Sequence, residues 1–221
     1  FIIGLFYFLN KKNMNSQEKI SAVNYVALGD SYTIGEGAWE NESWPSVLTS
    51  HLWENGVSVK LVANTSVTGF TTQNLIDNEL SVYDSSDPEF TTLLIGINDW
   101  VQGVDKDTFH KNLITILDHM QTKLPQKNNL ILVTIPDFSA TPTGRNHSNG
   151  RDISQGISEF NEIIKDEAKL RNLPVVDIYP VSQKMKDDSS LIAQDGLHPS
   201  APEYAIWEKL IYPEAYKMLK K

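Results

Sequence analysis

Five short apolar runs, separated by longer segments with helical spacing, are the feature that most constrains the fold of this 221-residue chain. The runs are rich in β-branched residues and mostly lack polar alternation, which is typical of strands buried on both faces. They cover residues 23–28, 57–63, 92–97, 130–135 and 175–178. Strands that alternate with helices require crossover connections and a parallel sheet. The sequence therefore predicts an α/β fold, a three-layer, doubly wound parallel sheet of five strands.

The helical segments give more local expectations. Apolar residues recur with helical spacing in 108–123, which we expect Asp107 to cap, and in 158–171, where we expect Leu170 to face inward. The last helix opens with Ser200 and Glu203 at capping-box spacing. Pro213 should kink or end that helix.

The sequence shows no internal repeat and no linker, so we predict a single domain over residues 24–221, preceded by an N-terminal extension over 1–23. The extension begins with "FIIGLFYFL", which is too short to span a bilayer, and its lysine pair follows the apolar run, unlike a secretory signal. We expect Met14 to be the native start and residues 1–13 to be either upstream sequence or the remnant of a longer leader. A cytoplasmic location follows from that start, while a secreted or periplasmic location stays open.

Composition narrows the possible partners. The net charge of −9 argues against nucleic-acid binding, because phosphate backbones are held by clustered Lys and Arg. Without cysteine there is no disulfide framework and no thiolate metal site. We expect no stable membrane insertion, and the oligomeric state stays open.

Polar residues follow three of the predicted strands, where ligands bind in parallel sheets. Ser31 follows the first strand, Gly69 the second and Asn98 the third, and Asp195 and His198 stand three apart before the last helix. Each has an ordinary structural explanation, as a helix cap or a turn residue. Together they supply a nucleophile, a base with an orienting carboxylate, and two hydrogen-bond donors, which is what acyl transfer requires.

In these motifs the chain resembles the SGNH (GDSL) hydrolase family. Gly29-Asp30-Ser31, Gly69, Gly96-Ile97-Asn98-Asp99 and Asp195-Gly196-Leu197-His198 match its four sequence blocks in order. Tyr32 stands where many members have Leu. The resemblance implies a flavodoxin-like SGNH hydrolase fold with strand order 2-1-3-4-5.

The implied chemistry is a serine esterase or lipase mechanism through an acyl-enzyme. Ser31, His198 and Asp195 would form the catalytic triad, and Ser31 would also cap its helix. The backbone N–H groups of Ser31 and Gly69 and the amide of Asn98 would form the oxyanion hole. No cofactor and no metal are needed.

The substrate is less well determined. We expect a small-molecule ester, either a short-to-medium-chain acyl ester or lysophospholipid, or else an acetylated sugar, as for a carbohydrate O-acetylesterase. Candidate substrate-binding residues are Phe70, Trp100 and Phe138, the last in the irregular segment 136–150. A third hypothesis is a catalytically inactive flavodoxin-like binding module. The remaining histidines, which we expect on the surface or on helix faces, are His51, His110, His119 and His147.

Overall fold

Five parallel strands form a sheet in the order β2-β1-β3-β4-β5, which confirms the predicted topology. The computed structural model describes residues 22–220, so Met14 and the rest of 1–21 lie outside the described residues. The strands are β1 (Val23–Gly29), β2 (Val59–Asn64), β3 (Phe90–Leu94), β4 (Leu130–Val133) and β5 (Val175–Val176). β1 lies between β2 and β3, and its residues Tyr25 to Leu28 are fully buried.

Helices connect the strands and cover the sheet. Their bounds are α1 (Ser31–Ile34), α2 (Trp44–Glu54), α3 (the consecutive segments Thr72–Asn74, Leu75–Glu79 and Leu80–Ser85), α4 (Ile97–Gln102), α5 (Lys106–Lys123), α6 (Ile153–Arg171), α7 (Tyr179–Ser182) and α8 (Ala201–Leu219). Helix α2 packs against α8, and α5 packs against α3 and α6. Within residues 22–220, no helix has both the length and the apolar composition needed to cross a membrane.

Two long helices depart from their predicted details. Asp105, not Asp107, caps α5, because its side chain accepts a hydrogen bond from the Thr108 N–H. Helix α6 begins at Ile153, five residues before the predicted start. Leu170 is 79% exposed rather than buried, because it lies about 120° around the helix from Ile164 in the buried stripe.

The last helix differs from expectation in two details. Of the two effects expected of Pro213, it does not end α8, because buried Trp207, Ile211 and Ala215 hold both halves of the helix in the core. The capping box is not formed. Ser200 donates its hydroxyl to the Ser190 carbonyl instead.

Candidate active site

Ser31 lies at the end of β1, where the chain turns into α1. Asp30 has an extended backbone and caps α1, its Oδ1 accepting a hydrogen bond from the Tyr32 N–H at 3.1 Å. The prediction that Ser31 caps this helix is therefore wrong, because Ser31 is already the first helical residue. Its side chain faces a cavity instead, and the residue is only 4% exposed.

A close approach of β1 to β3 fixes the position of this turn. A Cβ atom on Gly29 would lie 2.2 Å from the Leu94 carbonyl oxygen and 2.3 Å from Thr33 Oγ1, so only glycine fits here. The hydroxyl of Thr33 donates to the same Leu94 carbonyl at 3.3 Å. The turn that carries Ser31 is thus held directly against the end of β3.

Two hydrogen bonds dock the segment after β2 onto α4. Asn98 donates its side-chain amide to the Phe70 carbonyl at 3.0 Å, and the Asp99 carboxylate accepts the Thr72 N–H at 2.8 Å. This docking brings Gly69 and Asn98 to the same cavity as Ser31. Gly69 has φ of +84°, a left-handed conformation that favours glycine. Among residues 22–220, no acceptor takes the backbone N–H of Gly69 or Ser31.

Asp195 holds His198 from the loop before α8. One carboxylate oxygen accepts the backbone N–H groups of Leu197 and His198 at 2.8 and 2.9 Å, and the other lies 2.6 Å from His198 Nδ1. Partial desolvation opposes ionisation of Asp195, but these hydrogen bonds outweigh it and hold its pKa below the usual value. The carboxylate is therefore ionised at neutral pH, and it fixes the orientation of the imidazole ring.

The predicted nucleophile, base and donors meet at one cavity of about 120 Å³. Its described lining residues are Ser31, Tyr32, Thr68, Gly69, Ile97, Asn98, Val101, Phe138, His147, Leu197 and His198. The wall is largely apolar. Ser31 Oγ makes no hydrogen bond to a described residue, although Ser31 and His198 line the same cavity.

The three candidate substrate-binding aromatics have different positions. Phe138 lines the cavity, whereas Trp100 and Phe70 are not among its described lining residues. Trp100 is buried, with its ring edge-on to Phe138 at 5.8 Å and the Arg151 guanidinium 3.9 Å from the ring centre. Its position supports the wall that Phe138 forms.

Two polar residues at the site, Thr68 and Glu36, were not predicted from the sequence, and a third, His147, was named there without a role in the site. His147 and Thr68 line the cavity, and Glu36 Oε2 lies 3.7 Å from His198 Nε2. The sequence feature that could have pointed to Glu36 is the glycine on each side of it. Both glycines have positive φ, which indicates a tightly constrained turn. The other three histidines pair with carboxylates, as His51–Glu208, His110–Glu167 and His119–Asp84.

Glu36, Asp195 and His198 present ligand-type atoms within 4.8 Å of one another. Two oxygens and one nitrogen could contact a divalent cation. However, Asp195 and His198 Nδ1 already satisfy each other through a hydrogen bond, which a metal would have to break. The donor set fits an imidazole between two carboxylates better than a metal centre.

Behind Ser31 lies a group of buried carboxyls, Asp30, Glu79 and Asp99. Desolvation raises the pKa of Asp30 well above its usual value and that of Glu79 to about 8. Glu79 Oε2 accepts the Gly29 N–H at 3.3 Å and the Thr65 hydroxyl at 2.6 Å. Asp30 Oδ2 and Glu79 Oε1 have no hydrogen-bond partner among the described residues.

Comparison with known proteins agrees with this architecture. A segment of 88 residues is 32% identical to an arylesterase from Vibrio mimicus, covering 40% of this chain and 44% of that protein. The chain thus spans under half the length of this curated relative. Among solved structures, a lipolytic protein of the G-D-S-L family from Veillonella parvula superposes with a TM-score of 0.71 at 19% identity, over 90% of this chain and 100% of the other.

An acetylxylan esterase from Geobacillus stearothermophilus has a TM-score of 0.69 at 20% identity, over 89% of this chain and 96% of the other. At these identities the likeness concerns the fold. The sequence model of the GDSL-like lipase/acylhydrolase family matches residues 27–206, most of the chain. The chain therefore belongs to the GDSL-like lipase/acylhydrolase family.

Proposed function

We propose that the protein is a serine hydrolase of small carboxylic esters, with Ser31 as nucleophile, His198 as base and Asp195 as the orienting acid. The observation that carries the proposal is the shared cavity. Ser31, Gly69, Asn98 and His198 line it together, although they come from four separate parts of the chain. A merely structural role for each residue would not require this convergence.

In the acylation step, Ser31 Oγ attacks the ester carbonyl carbon while its proton passes to His198 Nε2. The ionised Asp195 at Nδ1 stabilises the imidazolium that forms. Collapse of the tetrahedral intermediate breaks the bond to the alcohol oxygen, which takes the proton from Nε2. In the second step, His198 deprotonates a water that attacks the acyl-enzyme, releasing the acid and restoring Ser31.

The developing oxyanion needs donors that are not already used. The backbone N–H groups of Ser31 and Gly69 have no acceptor among the described residues. Asn98 donates one amide hydrogen to the Phe70 carbonyl. This hydrogen bond orients the side-chain amide and leaves its second hydrogen available for the oxyanion. Such fixed donors stabilise the transition state without reorganising during the reaction.

The size of the cavity favours a short acyl group. A cavity of ~150 Å³ lined by apolar side chains admits benzene. This cavity, at about 120 Å³, is smaller, and the buried Phe138 forms part of its wall. We therefore propose acyl groups of acetyl to about butyryl size, and the long chain of a lysophospholipid would extend outside the cavity.

An acetylated carbohydrate is the second candidate, favoured by the same small cavity. It differs from a simple ester only in the alcohol, which leaves from the open side of the site. The inactive binding module is disfavoured because nucleophile, base and orienting acid are all present.

The test is hydrolysis of p-nitrophenyl esters from acetate to palmitate by the wild type and by Ser31→Ala. We expect highest kcat/KM at acetate to butyrate, a steep fall beyond that length, and loss of on the order of 10⁴-fold in the variant. A maximum at long chains would contradict the acyl assignment. Hydrolysis retained by a folded Ser31→Ala protein would contradict the nucleophile. Acetate release from acetylated xylan would identify the second candidate.

A further inference from the structure

We infer that Glu36 is a positioning residue that acts through His198, as a second carboxylate facing the ring nitrogen opposite Asp195. The inference deepens the proposed function and rests on it. Asp195 Oδ2 lies 2.6 Å from His198 Nδ1, and Glu36 Oε2 lies 3.7 Å from Nε2. The imidazole ring, 8% exposed in its side chain, is therefore flanked by two carboxylates.

The backbone around Glu36 is fixed at three points. Its N–H donates to the Ser31 carbonyl at 2.9 Å, and its carbonyl accepts the Tyr204 hydroxyl from α8 at 2.8 Å. The flanking Gly37 has φ of +94°, and a Cβ atom there would lie 2.6 Å from Ala193 Cβ and 3.2 Å from His198 Cβ. The turn thus presses against the loop that carries His198, and it ties Glu36 to the nucleophile.

The side chain of Glu36 is also held. The Thr68 hydroxyl donates a hydrogen bond to Glu36 Oε2, the same oxygen that faces His198. Thr68 itself lines the cavity. A carboxylate fixed by a neighbour in this way does not need to be ordered during the reaction.

The position of Glu36 predicts a different effect in each state of His198. When His198 is neutral, Nε2 accepts a hydrogen bond from Ser31 through its lone pair, and the Glu36 carboxylate has no favourable interaction with that nitrogen. Once Ser31 has lost its proton, Nε2 carries N–H and the ring is positive, so Glu36 attracts it. An interaction present only in the charged state lowers the barrier rather than strengthening substrate binding.

The alternative reading is that Glu36 contacts the departing alcohol. The two roles predict different rates of reaction with a fluorophosphonate. This reagent is also attacked by Ser31 as Ser31 loses its proton to His198. Its leaving group, however, is fluoride, which takes no proton from Nε2. If Glu36 acts on the imidazolium, its loss slows fluorophosphonate labelling as much as ester hydrolysis. If Glu36 contacts the alcohol, only ester hydrolysis slows.

The experiment compares Glu36→Gln with Glu40→Gln, a matched loss of one charge at an exposed position of the same segment. For Glu36→Gln we expect kcat on ethyl acetate, whose departing alcohol must take a proton from Nε2, to fall roughly 10- to 100-fold, as for loss of an interaction with a charged group. KM should change little, fluorophosphonate labelling should slow in parallel, and Glu36→Asp should recover part of the rate. Glu40→Gln should behave as the wild type.

Equal rates for the two glutamine variants would overturn the inference, and so would slower hydrolysis with unchanged labelling. Circular dichroism and thermal unfolding check that Glu36→Gln is folded, with Thr68→Val as a second way to release the carboxylate. The Ser31→Ala variant distinguishes failure of the proposed function from failure of the proposed role of Glu36. If it keeps activity, the proposed function fails; if it loses activity while Glu36→Gln keeps it, only the role of Glu36 fails.

Discussion

Glu79, buried behind Ser31, should make the stability of the protein depend on pH. The residue is 1% exposed, and desolvation is the main cause that raises its pKa from 4.5 to about 8, against the hydrogen bonds from Thr65 and Gly29. Between these two pH values the folded protein keeps a proton that the unfolded chain has lost. Unfolding then releases a proton, so the free energy of unfolding falls as the pH rises.

The size of the effect follows from the two pKa values. At 1.36 kcal/mol per pH unit, the interval from 4.5 to about 8 corresponds to roughly 5 kcal/mol. This stabilisation is fully present below pH 4.5 and is lost by the time the pH has risen through about 8. Glu79→Gln removes the titration and keeps an oxygen that can accept from Gly29 and Thr65.

Urea unfolding of the wild type and Glu79→Gln at pH 5, 7 and 9 measures the effect. We expect the variant to gain roughly 4 kcal/mol relative to the wild type between pH 5 and pH 9, because part of the total is already lost at pH 5. Titrating groups that do not interact with Glu79 are common to both proteins and cancel in this difference. Asp30 does not cancel fully, because the charge of Glu79 contributes to raising its pKa. Asp77→Asn, an exposed carboxylate of the same helix, should run parallel to the wild type. A constant difference between Glu79→Gln and wild type across this range would refute the reasoning.

Three further predictions concern the site. Asp195→Asn should keep its thermal unfolding midpoint within a few degrees but lose about 10⁴-fold in kcat, because the imidazole loses its orienting acid; near-normal turnover would contradict the role of Asp195. Asn98→Ala should lose roughly 100- to 1,000-fold in kcat on p-nitrophenyl acetate with KM little changed, and a tenfold loss or less would remove Asn98 from the oxyanion hole. Dialysis against EDTA should leave hydrolysis unchanged; a loss restored by one divalent cation would assign Glu36, Asp195 and His198 to a metal site instead.

The sheet could be predicted from the sequence because its signal is local and repeated. Each strand is an apolar run, and the polar residues after β1, β2 and β3 necessarily share one edge of a parallel sheet. The position of the cap of α1 could not be predicted in the same way. Asp30 and Ser31 are both favoured caps, and the choice depends on the residue at which β1 ends.

The errors in helix details have tertiary causes. Helix α8 continues through Pro213 because its buried face packs on α2, which local propensity does not include. Ser200 and Glu203 have the spacing of a capping box, but Glu203 accepts the Trp207 indole N–H at 2.7 Å instead.

Glu36 could not be placed from the sequence because its partner His198 belongs to a distant loop. Only the fold brings the turn at Gly37 against that loop. The place of Thr68 and His147 at the cavity could not be predicted for the same reason. Thr68 lies in the irregular segment after β2, and His147 ends a short 3-10 helix, Gly144–His147, in the long loop after β4. The sequence does show that Glu36 lies between two glycines, Gly35 and Gly37, which is typical of a tight turn.

The central claim is that Ser31 is the nucleophile, and its most direct test is the site of covalent modification. The protein is treated with a fluorophosphonate until p-nitrophenyl acetate hydrolysis stops, digested, and mapped by mass spectrometry. We predict one adduct, on Ser31, at a stoichiometry that matches the lost activity, and no adduct in His198→Ala. An adduct on another residue at the point where hydrolysis stops would contradict the account. So would hydrolysis that continues after every Ser31 has been modified.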